Sequence, residues 1–385
     1  MNKLQEKAES LELGLYLHIP FCARSCDFCH FYQEAPRRPD LDAYLSGMEM
    51  ALDRRPAPRP ASTAFWGGGT PGLLPARDLE RLGRAMIRAN SGLAPPEWTV
   101  EMAPATLKRD KLRVLRDLGV SRISMGVQSF DPGLLESLGR VHSQEQVHRA
   151  IELLHGEGMT NFNLDLIFAI PGQSLAMWEE DLKSVVAAAP AHVSTYCLTF
   201  EEDTALWVRL QKGQVHRHSL EDEARFHELA WERLGAAGYP QYEVSNYARP
   251  GKACRHNLNT WRMQEWIGYG PSASSQLGAR RWTEPHSLEE WQAGLASGQP
   301  RYAEEVELTQ AMLAQDFLIF GLRMNAGVDL SEWEQRFGAE AVPGWPFFRD
   351  RLLDEDLGRM VGSQLCLTDA GRLVADRIGE EILEL

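Results

Sequence analysis

Six short apolar runs recur along the first two hundred residues, and each is followed by a segment whose apolar positions have helical spacing. The runs are GLYLHIP (14–20), STAFWGG (62–68), WTVEMAP (98–104), RISMGVQ (122–128), FNLDLIFAIP (162–171) and HVSTYCLTF (192–200). Their β-branched and aromatic residues predict strands, and strand–helix–strand repeats predict a parallel sheet with right-handed crossovers. Because a full barrel needs eight such units, we expect an α/β fold that is a partial, open (β/α)6 barrel.

Helix signals stand out at two places. Ser143 and Gln146 form a capping-box pattern that opens QEQVHRAIELLHGEG, and Gly156 or Gly158 would end this helix. Ser219 and Asp222 repeat the pattern before EDEARFHELAWERLGAAG. The following segment YEVSNYARPGKACRHNLNTW (242–261) is typical of a loop.

The last part of the chain has a different organisation. TQAMLAQDFLIFGLRM and LSEWEQRFG predict two helices, and GRMVGSQLCLTDAGRLVADRIGEEIL predicts a strand pair followed by a helix capped near Thr368. We therefore expect three parts. They are the partial barrel with the chemistry (1–200), a barrel extension and connecting region (201–300), and a small α-rich, winged-helix-like accessory domain (301–385).

Composition narrows the choice of partners. With 385 residues, 44% of them apolar, the chain can fill one large and one smaller core. The net charge of −14 and the absence of a Lys/Arg run argue against nucleic acid, and the acidic tail indicates that the accessory domain is scaffolding. No eighteen-residue apolar stretch exists and the start, MNKLQEKAESLE, is polar, so we expect a cytoplasmic protein without stable membrane insertion, peripheral contact staying open.

Three of the six cysteines lie within eight positions, at Cys22, Cys26 and Cys29. The other three occur singly, which is typical of a reducing compartment. The CxxxCxxC spacing brings soft thiolates together on one tight loop, and such ligands select an iron–sulfur cluster or zinc. Three thiolates leave one iron of a [4Fe–4S] cube open. A closed zinc site would need a fourth ligand such as His30, whose adjacency to Cys29 strains tetrahedral geometry.

Polar and glycine residues follow the predicted strands at the same edge of the sheet as the cysteines. FWGGGTP contains Gly68, Gly69 and Thr70, and Glu101 ends the third run. Gln128, Arg140 and Asp165 also lie at or just after strand ends. Each residue alone is explained by a turn, by packing or by a solvated surface. Together they predict a polar pocket beside the cysteine loop.

The cysteine stretch resembles the radical S-adenosylmethionine (SAM) superfamily. The order HIPFCxxxCxxC, GGGTP, GVQSF, LGRVHS, NLDLIxxxPGQ, YEVSNYARPG and CRHNLNTW is similar to the oxygen-independent coproporphyrinogen III oxidase-like branch, and most similar to its family of heme chaperones, HemW. The resemblance runs from Gly14 to LTDAGR. It implies a [4Fe–4S] cluster on Cys22, Cys26 and Cys29, SAM on the open iron, and an external electron donor that drives cleavage to a 5′-deoxyadenosyl radical.

The same resemblance implies a set of SAM contacts. These are Tyr16, Gly68, Gly69, Thr70, Glu101, Gln128, Arg140, Asp165 and Thr199, the last by spacing more than by identity. Without the family pattern, Tyr16 would be read as a core aromatic of the first strand. No residue is assigned a catalytic role.

Two features favour the chaperone over the oxidase. Oxidases of this branch have a longer amino-terminal extension and a further cysteine two positions after the third ligand, whereas here twenty-one residues precede Cys22 and Phe31 takes that position. A chaperone would bind heme and pass it to apo-hemoproteins. The alternatives are a coproporphyrinogen dehydrogenase-type oxidoreductase that decarboxylates a tetrapyrrole, a radical SAM methyltransferase, and a cluster-binding sensor without a SAM pocket.

The implied heme site departs from its family pattern. HemW proteins have HNxxYW, and residues 256–261 are HNLNTW, with Thr260 in place of the tyrosine. His256 remains, and neutral imidazole is a suitable axial ligand for heme iron. The alternative is a loop histidine that caps backbone carbonyls. His30 after the third cysteine and Ser274 in GYGPSASS are further departures.

Overall fold

The computed structural model describes residues 11–299 and 301–385. Most of the polar start of the chain, on which the expectation of a cytoplasmic protein partly rests, falls outside these residues. Pro300, at the expected boundary between the second and third parts, is also outside them.

The six predicted strands are confirmed. They are β1 (Leu13–Ile19), β2 (Thr63–Gly68), β3 (Glu97–Met102), β4 (Arg122–Gln128), β5 (Phe162–Phe168) and β6 (His192–Cys197). All six are parallel and lie side by side in chain order. The sheet does not close on itself, so the barrel is partial, as the strand count predicted.

Helices alternate with these strands and cover one face of the sheet. They are α1 (Arg38–Arg54), α2 (Ala76–Ala89), α3 (Arg109–Leu118), α4 (Pro132–Ser137), α5 (Gln144–Gly156) and α6 (Leu175–Ala188). The capping box at α5 is confirmed, because the Ser143 hydroxyl accepts from the Gln146 amide and the Gln146 side chain accepts from the Ser143 amide. The covered face of the sheet is apolar and buried, with Trp66, Val100 and Leu164 in the main core.

The other face of the sheet lines the inside of the partial barrel and is polar. Because side chains alternate between the two faces of a strand, every second residue points inward. The inward set that lines one cavity of about 40 Å³ includes Thr99, Glu101, Arg122, Ser124, Asn163, Asp165, His192, Ser194 and Tyr196. Barrel interiors are usually filled by branched apolar side chains, so this lining marks a site instead of a core.

After β6 the chain adds elements to both edges of the sheet. These are α7 (Ala205–Gln211), α8 (Leu220–Ala236), β7 (Gln241–Glu243), β8 (Asn246–Ala248), α9 (Arg255–Trp261), β9 (Glu265–Tyr269), β10 (Ser274–Leu277), β11 (Arg280–Thr283), α10 (Leu288–Ser297) and β12 (Glu304–Glu307). The sheet then has twelve strands in the order β12-β11-β10-β9-β1-β2-β3-β4-β5-β6-β8-β7, with β9 parallel to β1.

Two predictions about this region are corrected. The loop expected over 242–261 contains β8, most of β7 and the helix α9. Strands of three residues are too short to show periodicity, and these two are stabilised by pairing, β8 with β6 and β7 with β8. At α8, the Ser219 hydroxyl caps the helix, but the Asp222 carboxylate accepts from that hydroxyl and does not reach back to the backbone, so the capping box is incomplete.

The last elements form a second, smaller core. They are α11 (Gln310–Leu322), β13 (Val328–Asp329), α12 (Leu330–Phe337), α13 (Trp345–Asp354), β14 (Gly358–Val361), β15 (Gln364–Leu367), α14 (Asp369–Leu373) and α15 (Ala375–Leu383). The order helix, strand, helix, helix, strand, strand is that of a winged helix, around a core that includes Leu318, Trp333 and Leu365. Over residues 11–299 and 301–385, none of the helices is both long and apolar enough to cross a membrane.

Candidate functional site

The cysteine loop follows β1 and is fastened by backbone hydrogen bonds. Cys22 N donates to Glu34 O at 3.0 Å, and Glu34 N donates to Pro20 O at 2.8 Å. In the middle of the loop, Asp27 N donates to Leu138 O and Leu206 N donates to Asp27 O. The three cysteines are half-buried and free of disulfides. These backbone hydrogen bonds fix the conformation of the loop that carries the three thiols.

The three thiols lie close enough to influence one another. Burial, with the neighbouring Cys29 and Cys26 thiols, raises the pKa of Cys22 to about 11, while Thr70 and Arg140 oppose the rise. The Thr70 hydroxyl is 3.8 Å from the Cys22 sulfur. Burial likewise raises the pKa of Cys29. Binding of iron by these thiols therefore includes their deprotonation, which the metal must drive.

The donor set fits a cluster better than a single zinc ion. Within the part of the chain that the structure describes, no three His, Cys, Asp or Glu side chains are grouped to hold one metal ion. His30 is exposed, and its Nδ1 is 3.2 Å from the Glu202 carbonyl oxygen. It is engaged there instead of completing a tetrahedral site, which counts against the zinc alternative.

The GGGTP turn, which follows β2, is hydrogen-bonded to the backbone at the start of the cysteine loop. Gly69 N donates to Ile19 O at 2.9 Å and Thr70 N donates to Phe21 O at 2.8 Å. A β-carbon on Gly69 would come within 2.6 Å of the Ile19 oxygen, and one on Gly68, whose φ is +95°, would collide with the His18 ring. Glycine is required here because two backbones pack directly against each other. Contact of these glycines with SAM stays a prediction.

Glu101 and Asp165 are two acids in the same buried pocket. Burial and the nearby Asp165 raise the pKa of Glu101 to about 8, against a hydrogen bond from the Gly68 amide. Burial also raises the pKa of Asp165, although Ser124 and Asn163 donate to its two carboxylate oxygens at 3.0 and 2.7 Å. Like charges in a low-dielectric pocket oppose each other, so the pair favours a cationic ligand.

Two of the candidate residues do not lie at strand ends, contrary to expectation. Asp165 is the fourth residue of β5, and Arg140 lies between α4 and α5. The strands are staggered, since Glu101 near the end of β3 pairs with Ser124, and Ser124 bonds to Asp165. A residue in the middle of β5 therefore lies beside the end of β3.

Arg140 lies between the cysteine loop and the pocket that contains Glu101 and Asp165. Its guanidinium lies over the Phe28 ring at 5.8 Å from the centroid. Its charge lowers the pKa of Cys22, Glu101 and Asp165, so it is near all three. Its Nε is buried and has no hydrogen-bond partner among the described residues. A guanidinium with a free donor suits a ligand carboxylate.

Tyr16 and Gln128 are two further predicted contacts, and neither of them lines the cavity. The Tyr16 ring stacks on Phe65 at a centroid distance of 6.4 Å, and its hydroxyl is 3.3 Å from His18 Nδ1. Burial and the Glu101 charge raise the pKa of Tyr16. Gln128 ends β4 with φ +67°, a left-handed conformation that is costly for a non-glycine residue and is concentrated at functional sites.

Thr199 lies outside the cavity lining, and several residues that the sequence did not predict belong to it. Thr199 is exposed, two residues beyond β6, and is not part of the cavity lining. The missed lining residues are Thr99, Arg122, Ser124, Asn163, His192, Ser194 and Tyr196. Their signal was the alternation of polar with apolar residues inside each run, which the apolar content of the runs concealed.

His256 lies inside the partial barrel at the end opposite the cysteine loop. Its Nδ1 is 2.9 Å from the Thr63 hydroxyl, and its ring stacks on Phe65 at 5.4 Å. Thr63 opens β2, and Gly14, which the ring also approaches, is near the start of β1. Burial lowers the pKa of His256 to about 4, so the imidazole is neutral. The alternative of a loop histidine is corrected, because His256 is in the first turn of α9.

Comparisons with known proteins agree with this architecture. Residues 16–185 match the radical SAM superfamily, and residues 308–374 match the HemN C-terminal domain. The chain is 31% identical to the heme chaperone HemW of Bacillus subtilis over 370 residues, covering 94% of this chain and 97% of that protein. It is 36% identical to heme chaperone HemW of Mycobacterium tuberculosis, with coverage of 96% and 94%.

A solved structure shares the whole fold. Coproporphyrinogen III oxidase (HemN) from Escherichia coli, a radical SAM enzyme, superimposes with a TM-score of 0.83 at 23% identity, over 99% of this chain and 93% of that one. At this level of identity the similarity concerns the fold. It includes both the open barrel and the accessory domain.

Proposed function

The chain belongs to the HemW family of the radical SAM superfamily, and from this premise we propose that it is a heme chaperone that binds heme and delivers it to apo-hemoproteins. The observation that carries the proposal is continuous similarity to proteins named heme chaperone HemW across 94% of this chain and 97% of the relative. Superfamily membership implies a [4Fe–4S] cluster and SAM as cofactors.

Cys22, Cys26 and Cys29 are the proposed cluster ligands. Their soft, half-buried thiols on one fastened loop suit iron, and three ligands leave one iron open. When bound, the cluster supplies an electron to SAM, and an external donor replaces it. The protein holds the loop and keeps the thiols partly shielded from water.

The polar pocket is the proposed SAM site. Glu101 and Asp165 would accept hydrogen bonds from the amino group and the ribose hydroxyls, and Arg140 would bind the carboxylate, because each contact pairs an acceptor with a donor or opposite charges. The remaining proposed contacts are Tyr16, Gly68, Gly69, Thr70 and Gln128, with Thr199 at the outer edge. The buried, unpartnered Arg140 Nε and the raised pKa of Glu101 support a ligand that carries both charges.

His256 is the proposed axial ligand of the heme iron. With Nδ1 at the Thr63 hydroxyl, Nε2 is the ring nitrogen left for iron, and the neutral ring is the form that ligates. The ring packs directly against Gly14, Thr63 and Phe65 inside the barrel. In our proposal, α9 moves out of the barrel when His256 ligates heme.

Anaerobic heme titration of the reconstituted full chain tests the proposal. We expect a stoichiometric complex with a histidine-type absorption spectrum, and His256→Ala should weaken it about tenfold or more through loss of the axial bond. His216→Ala, on an exposed segment, is the matched control and should bind as the unmodified protein does. Coproporphyrinogen III should be unchanged after long incubation with SAM and dithionite. Its conversion to protoporphyrinogen would contradict the chaperone function.

A further inference from the structure

A chain of hydrogen bonds crosses the barrel interior from Asp165 to the start of α9. Asn163 Nδ2 is 2.7 Å from Asp165 Oδ1, and His192 Nδ1 is 2.7 Å from Asn163 Oδ1. The Tyr242 hydroxyl is 2.8 Å from His192 Nε2, and Cys254 N donates to that hydroxyl at 3.2 Å. Cys254 is the residue that caps α9.

The chemistry of the groups fixes the direction of every link. A carboxylate only accepts, so the Asn163 amide turns its NH₂ toward Asp165 and its oxygen toward His192. That oxygen also only accepts, so His192 Nδ1 carries the proton. Burial and the charge of Arg122 hold the pKa of His192 well below its usual range, and the neutral Nε2 therefore accepts from Tyr242. All donors point toward Asp165.

Three members of this hydrogen-bond chain are buried, while Asp165 and Tyr242 are half-buried. Asn163 is 4% exposed, His192 is 2% exposed and Cys254 is 3% exposed. Hydrogen bonds that point one way polarise one another, and in a buried network the loss of one weakens its neighbours. Asp165 is the only charged member, and it stands at the receiving end.

We propose that His192 is a positioning residue that couples ligand binding at Asp165 to the first turn of α9. The proposal rests on the proposed SAM site. Ribose hydroxyl or amino donors at Asp165 would compete with Asn163 for the carboxylate, weaken the hydrogen-bond chain and loosen the Cys254 amide. Because His256 follows two residues later, SAM binding then favours the outward movement of α9 that we propose for heme ligation.

Amide hydrogen exchange of the anaerobic, cluster-loaded full chain tests this coupling without heme. In the unmodified protein, SAM should speed exchange over 254–258 about fivefold, the effect of losing roughly one net hydrogen bond. Tyr242→Phe removes the hydroxyl that joins His192 to Cys254 but keeps the ring. Exchange should then be fast before SAM is added and change less than about twofold afterwards.

The matched control is Tyr247→Phe. Tyr247 is a buried tyrosine on β8, and its hydroxyl is not part of the hydrogen-bond chain from Asp165 to Cys254. It should retain the full response to SAM. An equal response in Tyr242→Phe and unmodified protein, or none in the unmodified protein, would overturn the coupling. Production of 5′-deoxyadenosine with dithionite, measured on the same samples, separates these results from a failure to use SAM, which would overturn the proposed SAM site as well.

Discussion

Glu101 is a candidate site residue whose carboxyl has a strongly raised pKa. It is buried beside Asp165, and both effects favour its protonated form, with a pKa of about 8 in the ligand-free protein. The ionised carboxylate accepts hydrogen bonds from an amino group more strongly than the protonated form does. Binding of SAM in the proposed site is therefore linked to the loss of a proton from this pocket.

This linkage predicts that SAM affinity rises with pH. Below the pKa of Glu101, each pH unit should change the dissociation constant by up to about tenfold, and the profile should level off above about pH 8. Anaerobic equilibrium dialysis with labelled SAM between about pH 6 and about pH 9 measures it. Glu101→Gln should bind weakly with a flatter profile. If SAM affinity of the unmodified protein did not change with pH, Glu101 would not be a contact of the SAM amino group.

Single residues could be predicted where a short motif contains the chemistry. Cys22, Cys26, Cys29 and Glu101 stand in local patterns that the sequence displays directly. Ser124 and Asn163 could not be found this way, since small polar residues inside a strand have no local signature. Their role follows from the stagger of β4 against β5, which only the sheet reveals.

At the scale of elements, the turn that follows β2 packs directly against the start of the cysteine loop. The GGGTP turn lies so close to the loop that a methyl group at Gly69 would come within 2.6 Å of the Ile19 oxygen and 2.8 Å of the Phe21 oxygen. Backbone atoms at such distances must move. The loop is the element that would shift.

Gly69→Ala should therefore lower the bound iron of reconstituted protein well below that of the unmodified chain and cost about 1–3 kcal/mol of unfolding free energy. Iron analysis and urea unfolding measure the two effects. Gly235→Ala, inside α8 with open space around the added carbon, is the control and should be neutral or slightly stabilising. Full iron content and unchanged stability in Gly69→Ala would show that the turn does not position the loop.

Elements were predictable in proportion to their own length and periodicity. Strands β1–β6 and helix α5 have enough residues to show apolar runs or a capping box. The elements β7, β8 and α9 are too short to show such patterns, and tertiary contacts stabilise them. Glu97 on β3, for example, accepts from the Arg255 and His256 amides at the start of α9. Such an anchor joins residues more than 150 positions apart.

At the scale of the whole molecule, the accessory domain packs against the segment that adds β7, β8 and α9 to the partial barrel. Val244 N donates to Arg323 O at 3.0 Å, and Asn325 N donates to Tyr242 O at 3.0 Å. Trp261, the last residue of α9, packs against Phe320 of α11 at 5.9 Å between ring centroids. The helix that carries His256 is thus held between the two cores. Residue patterns predicted the two cores but not this interface.

The central feature of the proposed function is a [4Fe–4S] cluster in which one iron has no protein ligand. SAM binds that iron. Electron–nuclear double resonance of the reduced, anaerobically reconstituted protein, with SAM labelled at the amino nitrogen and carboxylate oxygen, measures this directly. We predict hyperfine coupling of both labels to the cluster, with the coupling lost in Cys26→Ser. A cluster without coupling to either label, or one whose four irons all have protein ligands, would contradict the account.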